Sequence, residues 1–217
     1  MEDNLLKKKT SISSSRSGKM VNKLDLCKRF NLDVSKPLFS FIGRLVYEKG
    51  ADLLPDIFYK TLLKEEVNII ALGSGELKVE AELKSMDIPF KSSYASYIGY
   101  DEKLAHQIYA GSDFLLMPSR VEPCGLNQMY ALRYGTIPVV RRTGGLKDTV
   151  IDIGDGGFGI CHDEASVEDV IYSIDRAVQL YKNNKEFNEI RKKCMQIDHS
   201  WDLSEREYLS LYKSIKP

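Results

Sequence analysis

The sequence predicts an α/β fold, a Rossmann-like parallel sheet with helices on both faces, and three observations carry that prediction. Apolar runs of strand length recur at Leu38–Ile42, Val67–Leu72, Phe114–Met117 and Ile137–Val140. Most are followed by a Gly-bearing turn and then by helical periodicity, which is the βαβ alternation of a parallel sheet. The runs are continuous instead of alternating, as expected of strands covered on both faces.

Taken in order, residues 1–23 hold six basic and two acidic side chains and a serine patch at Ser11, Ser13, Ser14, Ser15 and Ser17. Such a segment buries too little apolar area to offset its ordering entropy, so a linker or flexible arm is expected. A short helix follows at Leu24–Phe30. Further helices are expected at about Ala51–Lys64, Glu76–Met86, Asp101–Ala110, Leu126–Tyr134, Val167–Lys182, Glu186–Cys194 and Leu203–Ile215, with weaker strands at Phe90–Tyr94 and Phe158–Cys161.

Composition bounds the function. The 217 residues carry 31 Lys+Arg against 31 Asp+Glu and are 43% hydrophobic, and about 150 residues per domain favours one large domain with extensions. Zero net charge argues against non-specific binding to nucleic acid or a bilayer. No apolar run approaches the ~18 residues of a spanning helix, and the basic N-terminus lacks the apolar stretch of a secretory signal. Cys27, Cys124, Cys161 and Cys194 lie far apart, with no CxxC and no His at zinc-ligand spacing, the pattern of reduced thiols in a cytosolic protein.

In an open parallel sheet the ligand lies beyond the carboxyl ends of the strands, so the strand-to-helix turns hold the candidates. The turn Gly43-Arg44-Leu45-Val46-Tyr47-Glu48-Lys49-Gly50 sets two cations where helix amides also point, which suits a diphosphate. Alone, Arg44 and Lys49 read equally as solvated charges paired with Glu48. Leu72-Gly73-Ser74-Gly75-Glu76 either brings backbone close to a ligand or simply turns tightly. Tyr100 precedes a helix that Asp101 is expected to cap, and its ring either stacks on a nucleobase or packs on its own helix. In the string from Pro118 to Leu132, Glu122 stands ahead of Gly125 at a helix start, so its carboxylate faces the cleft shared by the N–H groups of Leu126 and Asn127. That pairing can hold sugar hydroxyls or a developing cationic centre beside a phosphate; otherwise Glu122 is an ordinary cap, and Gly144-Gly145 after the next strand is only a turn. Four turns decorated in this order are far less expected by chance than any one.

These strings resemble the bacterial glycogen synthase and plant starch synthase family, retaining glucosyltransferases of the two-Rossmann-domain GT-B architecture. The resemblance is to the C-terminal half, from about Gly18 to the chain end. It is carried by Gly43-Arg44-Leu45 with Lys49-Gly50, by Gly99-Tyr100, by Pro118-Ser119-Arg120 with Glu122-Pro123-Cys124-Gly125-Leu126, and by the string from Tyr134 to Leu146. Ser200-Trp201-Asp202 and the helix after it resemble the family's closing helix. With the arm that composition predicts over 1–23, the resemblance implies a nucleotide-sugar-binding domain over 24–199 and a crossing helix over 200–217.

By that resemblance, Arg44 and Lys49 neutralise the donor's diphosphate without a divalent metal or other cofactor, and Glu122 lies at the glucosyl ring. Gly125, Leu126 and Asn127 form the helix start that holds the distal phosphate, although Thr often stands where Asn127 is. Tyr100 supports the adenine. Gly43, Cys124, Tyr130, Thr143, Gly144 and Gly145 are candidate lining. Related sucrose-type transferases carry a second Glu eight positions after the first; Tyr130 at that position points to the glycogen and starch branch. The expected reaction moves glucose from ADP-glucose to the non-reducing end of an α-1,4-glucan with retention, in the bacterial cytoplasm or a plastid. The leaving phosphate would take the acceptor's proton, so no dedicated general base is sought.

The family's N-terminal domain, with its Lys-x-Gly-Gly-Leu-type motif and its glucan contacts, is absent from these 217 residues. The chain alone is therefore expected to bind ADP or ADP-glucose weakly and to transfer nothing. Leu203, Tyr208, Leu209, Leu211, Tyr212 and Ile215 of the closing helix are expected to be partly exposed or to drive self-association. A free-standing nucleotide-binding module explains the same turns without catalysis. A GT-B-shaped sugar-nucleotide epimerase leaves the Glu122 string unexplained, and a dinucleotide oxidoreductase lacks its Gly-x-Gly-x-x-Gly after the first strand. ADP is favoured over UDP by the branch resembled.

Overall fold

A computed structural model describes residues 4, 6–9 and 11–215. Its centre is a six-stranded sheet in the order β3-β2-β1-β4-β5-β6, in which every pairing is parallel. The strands are β1 (Leu38–Ile42), β2 (Asn68–Gly73), β3 (Tyr94–Ile98), β4 (Phe114–Met117), β5 (Ile137–Arg141) and β6 (Ile160–His162). The helices are α1 (Ser15–Phe30), α2 (Leu54–Leu62), α3 (Leu77–Ser85), α4 (Glu102–Gly111), α5 (Asn127–Arg133), α6 (Gly144–Thr149), α7 (Val167–Lys182), α8 (Asn184–Gln196) and α9 (Trp201–Ile215). Strand order runs outward in one direction from β1 and in the other from β4, so their junction is the switch point where a doubly wound sheet opens a crevice.

The continuous apolar runs are explained by two buried faces. Phe39, Phe41, Ile69, Ala71, Phe114, Leu116, Ile137 and Val139 pack with residues of α2, α3, α7 and α8, and the Phe39 and Phe114 rings stack at 4.8 Å across the β1–β4 pair. Their neighbours point the other way: Leu38, Ile70 and Leu72 meet Leu26, Leu104 and Ile108 of α1 and α4, and Leu115, Met117 and Val140 meet Tyr109, Ala131 and Leu146. Period-two geometry sends alternate residues to opposite faces, so two dry faces erase any alternation in the sequence.

The structure departs from the sequence reading in three places. The arm expected through residue 23 is helical from Ser15, and Lys19 and Lys23 are buried. The Lys19 ammonium donates to the carbonyls of Tyr109 (3.1 Å), Ala110 (3.2 Å) and Tyr134 (3.3 Å) and to Thr136 Oγ1 (2.5 Å). Lys23 pairs with Asp113 at 2.7 Å, and Asp113 also receives Arg191 at 3.0 Å. Composition registers such lysines as solvated because their partners come from distant segments. The strand expected at Phe90–Tyr94 begins instead at Tyr94, because residues 86–93 form successive turns, with Phe90 N donating to Met86 O and Ser93 N to Phe90 O. Gly144-Gly145, for which a simple turn was the alternative to a place in the site lining, opens α6. By contrast, α7 spans the expected Val167–Lys182, and Asp101 caps α4 through a 2.8 Å bond from Leu104 N.

Helix α9 has no buried residue, and Tyr208, Leu209, Leu211, Tyr212 and Ile215 are exposed. Cys27, Cys161 and Cys194 are buried free thiols, pushed up by burial to about 11, about 11 and about 12. Cys124 is exposed.

Candidate active site

The site grows from the ends of β1 and β4. After Ile42 the chain passes through Gly43 and Arg44, buries Leu45, and forms two short 3-10 turns, Tyr47–Lys49 and Ala51–Leu53, before α2. Leu45 is tied to the Gly73-Ser74-Gly75 turn by its amide bond to Ser74 O (2.8 Å) and a parallel bridge to Gly75. After Met117 the chain enters the loop that carries Glu122. The amides of Arg120 and Val121 both donate to Glu48 O, at 2.8 and 3.0 Å, so the two turns are joined along their main chains.

Lys49 Nζ donates to Glu122 Oε2 at 2.5 Å, with the Lys49 side chain 24% and that of Glu122 7% exposed. The paired-surface reading of Lys49 with Glu48 therefore gives way to a largely buried pair across the crevice. Ser119 Oγ donates to the same carboxylate oxygen at 3.2 Å. Arg44 is exposed and has no ion pair among the described residues, which leaves its guanidinium available to a ligand. Helix α5 begins at Asn127 with no side-chain cap on its first turn. It is seven residues long, so its contribution to an anion is first-turn amides more than a macrodipole. The Asn127 side chain donates to Ile42 O at 2.6 Å, tying the start of α5 to the end of β1.

These groups line a cavity of about 310 Å³ that includes Gly43, Arg44, Lys49, Ser119, Glu122, Gly125, Leu126 and Asn127, floored by Phe41, Ile42 and Met117. A second space of about 240 Å³ shares Ile42, Gly43, Arg44 and Asn127 with the first, and continues past Gly73, Ser74 and Gly99 to Tyr100 and Asp101. Tyr100 is 85% exposed at that far rim, which excludes the reading in which it packs on its own helix. The outline is an elongated slot with an aromatic ring at one end and a cation–carboxylate pair at the other.

Several expected lining residues stand elsewhere. Tyr130 sits on the flank of α5 that faces α4, its ring edge-on to Tyr109 at 5.9 Å, and Cys124 borders neither space. Thr143, Gly144 and Gly145 lie behind the Glu122 loop and support it. Gly145 N donates to Glu122 O at 3.0 Å and Thr143 Oγ1 to Arg120 O at 3.5 Å. A Cβ on Gly144 would meet Glu122 O at 2.1 Å, so glycine is required for this close approach. Sequence reasoning assigned no role to Ser119 or to Gln128. Gln128 is fully buried and its Nε2 donates to Cys124 O, Gly125 O and Thr149 Oγ1 at 2.9–3.2 Å. The only sequence signal for either was membership of the Glu122 string.

A profile of the family described as glycosyl transferases group 1 matches residues 23–194. The chain belongs to that family. Among glycosyl transferases group 1 relatives, a glycogen synthase of Flavobacterium johnsoniae is 56% identical over 99% of this chain and 46% of its own length. One from Thermodesulfovibrio yellowstonii is 39% identical over 99% of this chain and 42% of its own. The chain therefore spans less than half the length of these relatives. Among solved structures, the catalytic domain of starch synthase IV from Arabidopsis thaliana, bound to ADP and acarbose, superposes with a TM-score of 0.89 at 36% identity, over 98% of this chain and 45% of that one. The C-terminal domain of LpcC from Francisella tularensis, at 17% identity, shares the fold with a TM-score of 0.67 over 92% of this chain and 98% of that domain. The fold is thus that of the C-terminal half of a GT-B glycosyltransferase.

Proposed function

We propose that this chain is the donor-binding half of a glycogen or starch synthase that transfers glucose from ADP-glucose to the non-reducing end of an α-1,4-glucan with retention. The observation that carries this reading is the slot at the switch point, where Arg44, Lys49 and Glu122 meet at one end and Tyr100 stands at the other. Adenine rests on the exposed Tyr100 ring, and the diphosphate lies between Arg44, Lys49 and the first amides of α5. The glucosyl ring reaches Glu122. The choice of ADP over UDP is supported by the ADP bound to the similar starch synthase IV.

Breaking the bond between glucose and diphosphate leaves an oxocarbenium-like sugar and puts negative charge on the departing ADP. Arg44 and Lys49 stabilise that charge as it develops, which lowers the barrier without a divalent metal. Glu122, acceptor-only when ionised, faces the cationic sugar and keeps the Lys49 ammonium at the phosphate subsite. The acceptor hydroxyl approaches on the face that the diphosphate leaves, and a phosphate oxygen takes its proton, so configuration is retained. The remaining contacts to glucose, and those to the glucan, belong to an N-terminal half such as the longer relatives have room for. The 217-residue chain alone binds nucleotide weakly and transfers no glucose. Among the described residues no helix is long and apolar enough to cross a membrane.

Calorimetry with ADP and UDP at identical salt tests the reading. Weak ADP binding that exceeds UDP and falls about tenfold in Arg44→Ala is the expected result. Equal binding of both nucleotides, or ADP binding indifferent to Arg44→Ala, rejects it, as does unchanged turnover of Lys49→Ala in the full-length enzyme.

A further inference from the structure

Lys49 and Glu122 lie 73 positions apart in the chain and 2.5 Å apart in space, and the side chain that joins their turns is one to which the donor chemistry gives no task. We infer that Arg120 is a positioning residue for the diphosphate site: its guanidinium grips the Lys49 turn on both sides and thereby sets where the Lys49 ammonium stands relative to Glu122. This inference rests on the donor-site reading and adds to it.

The guanidinium forms a two-pronged pair with Asp52, NH1 to Oδ1 at 2.5 Å and NH2 to Oδ2 at 2.9 Å. NH1 also donates to the carbonyl of Tyr47 at 3.1 Å, and the guanidinium carbon lies 4.0 Å from the centre of the Tyr47 ring. Tyr47 opens the first 3-10 turn and Asp52 sits in the second, so the two contacts straddle Lys49. The main chain of 120–121 adds its two bonds to Glu48 O. From behind, Arg141 NH1 donates to Arg120 O at 3.0 Å, which ties the grip to the end of β5.

Residues 47, 48 and 52 are thus anchored to the segment immediately ahead of Glu122, while the Lys49 side chain is directed at the carboxylate. A forked guanidinium that is also stacked fixes orientation as well as distance, which a lysine at the same place does not. Asp52 neutralises Arg120, so the pair contributes placement and not net charge to the phosphate subsite. Small displacements of a ligand-holding cation are costly where contacts depend on alignment.

The test compares Arg120→Met and Asp52→Asn with the wild type in the 217-residue chain, by two readouts. In calorimetry, ADP affinity is expected to fall about tenfold in each variant while AMP affinity stays within about twofold; Arg120→Lys does not restore the ADP value. In amine acylation followed by mass spectrometry, with the exposed Lys78 as internal reference, Lys49 is expected to label several times faster in both variants as it leaves Glu122. The double variant should match the singles, because both remove one clamp. Lys49 labelling at the wild-type rate, or equal weakening of ADP and AMP, overturns the positioning role and leaves Arg120 as an ordinary ion pair. Failure of the wild type to bind ADP overturns the donor-site reading alone, since the Lys49 labelling still decides the clamp.

Discussion

Gly50 is where the Lys49 turn presses on the loop after β4, and Gly50→Ala should force that contact apart. Its φ is +69°, and a Cβ there would stand 2.3 Å from the carbonyl oxygen of Pro118, whereas Cβ contacts essentially never fall below 3.0 Å. Backbone must therefore move by the better part of an ångström. Two costs combine: about 1 kcal/mol for an alanine in left-handed backbone, and about 1–3 kcal/mol for overpacking a site that cannot relax freely. Gly156 separates them, since its φ is +78° with nothing within 4 Å of the added carbon. Urea unfolding at unchanged m-value should show a loss of about 1 kcal/mol for Gly156→Ala and about 2–4 kcal/mol for Gly50→Ala. The displacement also carries Lys49 away from Glu122, so ADP affinity should fall about tenfold in Gly50→Ala and stay unchanged in Gly156→Ala. Equal destabilisation by the two substitutions would refute the argument that the turn is pressed against the loop.

Arg44→Ala should weaken ADP binding about tenfold without changing the melting temperature, because Arg44 is exposed and has no ion pair among the described residues to lose. Lys49→Ala should do both, with about 1–3 kcal/mol of stability lost because Glu122 is left buried without its cation, as measured by urea titration. Burial, then the nearby Arg191, holds the Lys19 amine well below its ordinary value of 10.5. The unfolded chain therefore binds this proton where the folded chain does not, and wild-type stability relative to Lys19→Met should rise with pH up to about 10. A pH-independent difference between the two urea midpoints would contradict that sign. Hydrogen exchange should find the amides of α9 among the fastest of any helix, since no residue of it is buried and an uncovered helix of this length is marginal in water.

Local pattern made much of the architecture legible. β1 and β4 lie where predominantly apolar runs put them, and α7 has the expected bounds because a Ser166 cap, acidic first turn and amphipathic repeat all agree. β3 starts at Tyr94 and not at Phe90 because residues 86–93 are closed by main-chain turn bonds, Phe90 N to Met86 O and Ser93 N to Phe90 O, that an apolar pattern does not reveal. α1 was cut short because lysines at its start read as solvated, whereas the carbonyl ends of α4 and α5 accept one of them. In the site, Arg44, Lys49, Tyr100, Glu122 and the 125–127 segment were all found to border the slot. Tyr130, a candidate lining residue, borders neither space and lies beside Tyr109 of α4, because a motif position does not say which flank of α5 faces the site.

By itself the sequence determined a parallel sheet dry on both faces, the turns that end its strands, and the charged and aromatic residues those turns carry. These are local properties: apolar continuity over a strand's length, glycines at close approaches, and a cap ahead of a helix. Only the tertiary structure decided which charges meet. Lys49 joins Glu122 and not Glu48, Arg120 reaches back to Asp52, and Lys23 goes inside with Asp113. Each pairing spans segments brought together by parallel crossovers at the β1–β4 switch point or at the opposite, amino ends of the strands, and no stretch of local sequence encodes which partner the crossover delivers.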